Sequence, residues 1–239
     1  MPIRAIVWDI DDTIFDYAGA DTAGMRAHLA AEGLLGGYGS AAEALALWKA
    51  RTREHWARFE SGELGWEEQR RERVRSFVGR GLEDDEADAW FFRYLAHYEA
   101  AWALFPDTLP VLDALAASHR HAVLSNSSLH NQDRKLRVLG VRDRFEAVLC
   151  AAELGVAKPE AAAFHAVCEE LALEPHEVAY VGDQPDTDAR GAVEAGLAGI
   201  WLDRAELGGR PELTRITRLD QLPSLLAGDT RFGAPDTFR

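Results

Sequence analysis

Short apolar runs that end in polar residues recur along the chain and predict buried strands. The runs are residues 3–8, 121–124, 147–150, 178–181 and 199–202. Segments of this length with apolar residues on both faces are typical of parallel strands that helices cover on both sides. The pattern therefore predicts a parallel sheet of five strands.

Helical patterns separate most of these runs. The segments predicted as helices are residues 108–118, 132–139, 160–171 and 188–195. Gly140 and Gly196 follow two of them, at positions where glycine commonly ends a helix. Strands that alternate with helices predict an α/β fold, here a Rossmann-like parallel sheet core.

Residues 16–104 have a different pattern and predict an inserted helical domain. The segment is rich in alanine, glutamate, arginine and leucine and has almost no β-branched run. Its breaks lie at residues 33–39, 61–65 and 79–81. They divide the segment into about four helices. Because the insertion follows the first strand, we expect a cap above the carboxyl end of that strand, with residues 1–15 and 105–239 as the catalytic core.

The charge of the chain restricts its partners. Lys and Arg number 26 and Asp and Glu 40, which gives a formal net charge of −14 over 239 residues. This field repels nucleic-acid phosphates, so we expect no nucleic-acid partner. No apolar run is long enough to span a membrane and the N-terminal stretch lacks a signal-peptide layout, so we expect a cytoplasmic protein without membrane contact. A phosphate site in so acidic a chain needs a cation.

Acidic residues follow two of the predicted strands where each strand ends. Asp9, Asp11 and Asp12 follow the first run, and Asp183 and Asp188 follow the run at 178–181. Carboxylates that converge in a low dielectric need a proton, a cationic side chain or a divalent metal between them. Such a hard oxygen site favours Mg²⁺. A solvated acidic turn is the alternative for each cluster, and capping of the following helix is the alternative for Asp188.

Three further polar residues are predicted at the same edge of the sheet. Ser125 and Asn126 follow the second run, and Lys158 precedes Pro159, which fixes the start of the next helix. Serine and asparagine are ordinary turn residues, and a single lysine usually lies at the surface. These residues therefore gain significance only from their order along the chain together with the acids.

In that order the residues resemble the motifs of the haloacid dehalogenase superfamily. The residues that match, taken along the chain, are Asp9, Asp11, Thr13, Ser125, Lys158, Asp183 and Asp188. Each follows a predicted strand or begins a predicted helix, so the joint match is specific. Two positions depart from the family pattern, because Asp12 and Ser127 stand where the family usually has glycine. Neither change removes a catalytic group.

The resemblance implies a Mg²⁺-dependent phosphatase of the branch with a helical cap. It implies that Asp9 attacks phosphorus to form an aspartyl-phosphate, and that Asp11 protonates the leaving oxygen and then activates water. The implied metal ligands are Asp9, Asp183 and Asp11, the last through its backbone carbonyl. The other implied roles are phosphate binding by Ser125, Asn126 and Lys158 and support by Thr13 and Asp188.

Several alternatives stay open on the same fold. A 2-haloacid dehalogenase generally lacks an acid at the position of Asp11, because halide leaves without a proton, so Asp11 favours phosphate esters. A phosphomutase differs in the access of water to the intermediate, which the sequence does not report. A non-catalytic binding protein is expected to have lost an acid or the lysine. The expected substrate is a small phosphorylated metabolite such as a nucleotide or sugar phosphate, and the oligomeric state is not predicted.

Overall fold

The computed structural model describes residues 2–228. The chain divides into two compact units. The core unit comprises Met1–Asp16 and Ala103–Arg239, and the inserted unit comprises Tyr17–Trp102. Residues 228–239, which the sequence suggests are a loose tail, lie outside the described residues except for Gly228.

The inserted unit consists of four α-helices and a short 3₁₀ turn. The helices are α1 Tyr17–Ala31, α2 Ala41–Glu60, α3 Trp66–Val78 and α4 Asp84–Ala100. Ser40 begins α2 by accepting a bond from the Glu43 N–H at 3.1 Å, and Gly79 ends α3 with a left-handed φ of 72°. Aromatic side chains fill this unit, where the ring centroids of Trp48 and Tyr94 are 4.9 Å apart.

A parallel sheet forms the centre of the core unit and confirms the predicted α/β fold. Its strands are β1 Ala5–Trp8, β2 Arg120–Ser125, β3 Ala147–Cys150, β4 Val178–Gly182, β5 Ala198–Leu202 and β6 Thr214–Ile216. The order across the sheet is β3-β2-β1-β4-β5-β6. The first five strands overlap the predicted runs, and β1 begins two residues later than predicted, at Ala5. β6 has only three residues, two of them exposed, and therefore lacks the apolar pattern by which the others are predicted.

Helices cover this sheet. The α-helices of the core unit are α5 Thr108–Leu115, α6 Leu129–Val138, α7 Ala151–Leu154, α8 Ala161–Glu170, α9 Gly191–Glu194 and α10 Leu222–Gly228. The buried residues Phe164 and Val167 of α8 belong to one apolar cluster with Val7, Leu124 and Tyr180 of the strands. Within residues 2–228 no helix has both the length and the apolar composition that a membrane crossing requires.

One predicted helix differs in form. Residues Pro185–Arg190 make a turn of π-helix before α9, in place of the first turns of the α-helix predicted over residues 188–195. The Gln184 carbonyl accepts from the N–H of Asp188 at 2.9 Å and from that of Ala189 at 3.4 Å, so the chain there is wound more widely than an α-helix. The position of Asp188 depends on this turn.

Candidate active site

The register of the sheet brings Asp9 and Asp183 to neighbouring strand ends. Trp8 of β1 pairs with Val181 of β4, and the Asp9 N–H donates to the Val181 carbonyl at 2.9 Å. One carboxylate oxygen from each of Asp9, Asp183 and Asp188 lies within 4.8 Å of the other two. Acids that are far apart in the sequence therefore meet at the carboxyl edge of the sheet, where open α/β sheets bind ligands.

Asp188 reaches this group because Gly182 leaves room for it. A β-carbon on Gly182 would lie 2.3 Å from Oδ2 of Asp188, a distance that no side chain tolerates. Asp188 is 1% exposed, and the same oxygen accepts from the Gln184 N–H at 2.9 Å. The carboxylate is thus held by the π-turn and directed inward, and it does not act as a simple helix cap.

Lys158 supplies the cation among these acids. Its ammonium donates to Oδ1 of Asp9 and to Oδ1 of Asp188 at 2.7 Å each, and to the Tyr180 hydroxyl at 2.6 Å. The three bonds use all three ammonium hydrogens. Tyr180 donates in turn to the Leu124 carbonyl at 2.9 Å. Burial alone would lower the pKa of Lys158, but the adjoining charges of Asp188 and Asp9 raise it well above its ordinary value.

The negative charge of this cluster exceeds its positive charge. Burial raises the pKa of Asp9 to about 7, against the opposing effect of Lys158. Burial and the charge of Asp9 raise the pKa of Asp183 to about 8. Both shifts mean that burial and the neighbouring acids disfavour the charged form of each carboxyl more than the nearby donors favour it.

A magnesium ion fits this donor set. The oxygen ligands of one octahedral Mg²⁺ lie about 3–4 Å apart, and the oxygens of Asp9, Asp183 and Asp188 lie within 4.8 Å of one another. Carboxylate oxygens are the ligands that Mg²⁺ prefers, and a divalent cation would offset the excess negative charge. Among the described residues 2–228, the group of acidic, histidine or cysteine side chains spaced to hold one metal ion is Asp9, Asp183 and Asp188.

Asp11 lies beside a different helix, α6. Its Oδ1 accepts from the Lys135 ammonium at 2.5 Å, and its Oδ2 accepts from the Gln132 amide at 2.8 Å. The same Gln132 nitrogen lies 3.1 Å from Oγ of Ser125, which is 3% exposed at the end of β2. Gln132 therefore connects two of the residues that the sequence predicts as parts of one site.

Two other predicted site residues contact Asp9 and Lys158. The Asn126 side chain donates to the Lys158 carbonyl and accepts from the Lys158 N–H, both at 2.8 Å, so it holds the main chain of that lysine. The Thr13 hydroxyl donates to Oδ2 of Asp9 at 3.4 Å. Asp12 has a φ of 57°, in the left-handed region that glycine adopts freely and aspartate tolerates, which accounts for the glycine usual at this position in the family it resembles.

Sequence reasoning missed Lys135, Gln132 and Tyr180. A lysine and a glutamine on an amphipathic helix normally extend into solvent, and a tyrosine in a buried strand is usually a packing residue. The available signal is the spacing of three between Gln132 and Lys135, which places both on one face of α6. That spacing does not show which way the face is turned.

Comparisons with known proteins agree with this architecture. The profile of the family described as haloacid dehalogenase-like hydrolase matches residues 3–196. The phosphoserine phosphatase of Thermus thermophilus is 33% identical to this chain over 206 residues, which cover 85% of this chain and 73% of that protein. The N-acylneuraminate-9-phosphatase of Mus musculus is 26% identical, with 94% of each chain covered.

Solved structures show the same fold. The HAD-hydrolase YfnB from Bacillus subtilis, bound to magnesium, superposes with a TM-score of 0.78 at 21% identity, covering 95% of this chain and 99% of that one. A 2-haloacid dehalogenase from Pseudomonas syringae superposes with a TM-score of 0.65 at 26% identity, with the same coverage of both chains. The similar proteins thus include two named as phosphatases and one named as a dehalogenase.

Proposed function

This chain belongs to the haloacid dehalogenase-like hydrolase family, and from that premise we propose that it is a Mg²⁺-dependent phosphoric monoester hydrolase acting through an aspartyl-phosphate. One observation carries the proposal. Asp9, Asp183 and Asp188 gather around Lys158 with more negative charge than the lysine offsets, while Asp11 stands two residues beyond Asp9. An acidic site of this kind suits a cation and an anionic substrate together.

Asp9 is the proposed nucleophile. One of its carboxylate oxygens forms a bond to phosphorus while the bond from phosphorus to the leaving oxygen breaks, and Asp11 gives that oxygen a proton. In the second step Asp11 takes a proton from water as the water oxygen bonds to phosphorus. The bond between Asp9 and phosphorus then breaks and inorganic phosphate leaves.

The proposed metal ligands are the carboxylates of Asp9 and Asp183 and the backbone carbonyl of Asp11, with Asp188 in support. When bound, Mg²⁺ neutralises the charge of these groups and of the phosphate. Asp188 keeps Lys158 in place through their 2.7 Å ion pair.

Ser125 and Lys158 are the proposed ligands of the phosphoryl oxygens, with Asn126 holding the lysine main chain. All three hydrogens of the Lys158 ammonium are already donated. A phosphoryl oxygen can therefore accept a hydrogen bond from this ammonium only if it replaces one of the three present acceptors. Tyr180 is the uncharged acceptor of the three, and hydrogen bonds between charged groups are the stronger ones. We therefore propose that the bond to Tyr180 is the one exchanged.

The substrate is proposed only as a class. The two relatives are named for different phosphorylated compounds, so they support a small phosphate ester without selecting one, and a nucleotide or sugar phosphate remains our proposal. A dehalogenase is the second candidate, because one similar structure is a 2-haloacid dehalogenase. Asp11 favours the phosphatase, since a departing halide needs no proton.

Hydrolysis of p-nitrophenyl phosphate by the wild-type protein and by Asp9→Asn tests the proposal. We expect turnover with Mg²⁺ that EDTA abolishes, and a loss of at least about 10³-fold in Asp9→Asn. Asp186→Asn is the matched control, because Asp186 belongs to the same π-turn, is 54% exposed and pairs with surface arginines. Metal-dependent turnover that persists in Asp9→Asn, or chloride release from a 2-chloro acid without phosphatase activity, contradicts the proposal.

A further inference from the structure

Lys135 is a buried lysine beside the carboxylate of Asp11. Its side chain is 7% exposed, and its ammonium lies 4.3 Å from the centroid of the Phe15 ring. Burial of an ammonium is costly unless an opposite charge and further favourable contacts accompany it. The 2.5 Å contact with Oδ1 of Asp11 supplies that charge, so Lys135 remains directed inward although it lies on an otherwise amphipathic helix.

Gln132 holds the other oxygen of the same carboxylate. It lies one turn earlier on α6, is 1% exposed, and donates to Oδ2 of Asp11 at 2.8 Å. Both oxygens of Asp11 are therefore held by one face of one helix. This arrangement restricts rotation of the Asp11 side chain more than a single contact would.

The Asp11 side chain is partly accessible to solvent. Its side chain is 37% exposed, compared with 7% for Lys135. A carboxylate has about four lone-pair sites, and the two bonds from α6 occupy two of them. The remaining sites are available to a proton and to an oxygen of a substrate or of water.

We propose that Lys135 and Gln132 are positioning residues that hold Asp11 for both proton transfers, an inference that rests on the function proposed above for Asp11. Lys135 transfers no proton in this proposal. A general acid or base has to lie within hydrogen-bond reach of the proton that it transfers, and a displacement of 1 Å can cost about 10²-fold in rate. Loss of this hold should therefore slow the chemistry while substrate binding is retained.

A merely structural role for Lys135 predicts something different. If the side chain only fills space beneath Phe15, its replacement should alter stability and leave the dependence of rate on the leaving group unchanged. If it positions the acid, the substrates that need most help from a proton should suffer most.

Lys135→Met and single-turnover kinetics separate these two roles. The rate of phenol release from phenyl phosphate should fall about 10- to 100-fold, and release of p-nitrophenol from p-nitrophenyl phosphate should fall less, because that leaving group is the better one. KM should change little. Lys49→Met, at an exposed position on α2, is the matched control and should match wild type. Lys135→Arg should recover part of the lost rate.

Asp11→Asn, measured in parallel, distinguishes failure of this proposal from failure of the proposed function. In the Asp11→Asn background, Lys135→Met should cause no further loss. If Asp11→Asn is impaired while Lys135→Met keeps both rates of the wild type, the positioning role is wrong and the proposed function stands. If Asp11→Asn itself keeps both rates, the proposed function is wrong. Should Lys135→Met fail to fold, Gln132→Leu tests the same hold and should show the same substrate preference.

Discussion

Each of the two units buries an aspartate, and each satisfies it differently. In the inserted unit Asp21 is 4% exposed, and its Oδ1 accepts from Nε1 of Trp48 at 2.9 Å and from the Tyr94 hydroxyl at 2.6 Å. In the core unit Asp188 is 1% exposed and is paired with the Lys158 ammonium at 2.7 Å. Neutral donors thus suffice in one unit, and a cation is used in the other.

The difference separates an acid that joins helices from an acid at the proposed active site. Asp21 lies on α1, and its two donors lie on α2 and α4, so one oxygen joins three helices. The core unit instead places Asp9 and Asp183 near Asp188, although one lysine cannot balance three carboxylates. Burial of like charges costs stability. Excess charge of this kind is therefore better explained by a bound cation than by folding.

The largest expected effect is that of Lys158→Met. Removal of the ammonium leaves buried carboxylates without their partner, so the free energy of unfolding should fall by about 3–5 kcal/mol. Urea denaturation without Mg²⁺ measures it. Lys49→Met is the control and should change the same quantity by less than about 0.5 kcal/mol. A loss in Lys158→Met no larger than in the control would show that the ion pairs are not needed for stability.

Asp21→Ala tests the inserted unit. The substitution leaves the buried Trp48 and Tyr94 donors without an acceptor, and we expect a loss of about 2–3 kcal/mol in the free energy of unfolding. Asp21→Asn keeps an oxygen acceptor and should lose clearly less. Equal losses in the two variants would mean that the negative charge, and not the acceptor, is what this unit requires.

Asp183→Asn should stabilise the metal-free protein, whereas the two previous substitutions destabilise it. With one carboxylate fewer, the metal-free protein should gain about 1 kcal/mol in the free energy of unfolding, and the rise of the melting temperature on addition of Mg²⁺ should disappear. Asp186→Asn, at an exposed position of the same segment, should keep that rise. A destabilised metal-free Asp183→Asn protein, or one that Mg²⁺ still stabilises, would contradict a cation site here.

The smallest expected effect is the response to pH. The pKa of Asp9, about 7, lies above its ordinary value of 3.8, so the folded metal-free protein binds more protons than the unfolded chain and loses stability as the pH rises through 7. Burial lowers the pKa of His28 in the inserted unit from 6.5 to about 4, as it does for His121 in the core unit, so these groups cost stability as the pH falls below 6.5.

Above pH 7.5 His28 and His121 are neutral in the folded and the unfolded state, which isolates the carboxylates. The pKa of Asp183, raised by burial to about 8, lies in this range. In EDTA the free energy of unfolding should fall by less than about 1 kcal/mol between pH 7.5 and 8.5, and this decrease should be smaller with saturating Mg²⁺. His28→Phe should flatten only the acid side of the curve. Stability that rises from pH 7.5 to 8.5 in EDTA would contradict the raised pKa values of the two carboxyls.

The parallel sheet explains which features the sequence predicts well. Because parallel strands end at a common edge, the residues after each apolar run could be expected to meet, and the oxygens of Asp9, Asp183 and Asp188 do lie together. The α/β fold and the proximity of these acids can therefore be predicted from the positions of the strands along the chain.

Other features cannot be predicted from local sequence patterns. The orientation of α6 decides that Lys135 points toward Asp11, and this orientation results from packing of the whole unit. The π-turn depends on the Gln184 carbonyl accepting from two successive amides, an outcome that the acid-rich segment itself does not specify. β6 is too short and too exposed to show an apolar run.

Gly182 has a consequence for how the chain tolerates mutation. The space that its missing β-carbon leaves is occupied by the Asp188 carboxylate. Even alanine at position 182 would have to displace that carboxylate and so break its bond to the Lys158 ammonium. In a saturation screen for retained activity, this position should be as intolerant as the acids themselves, although glycine brings no reactive group. The requirement at this position is the absence of a β-carbon.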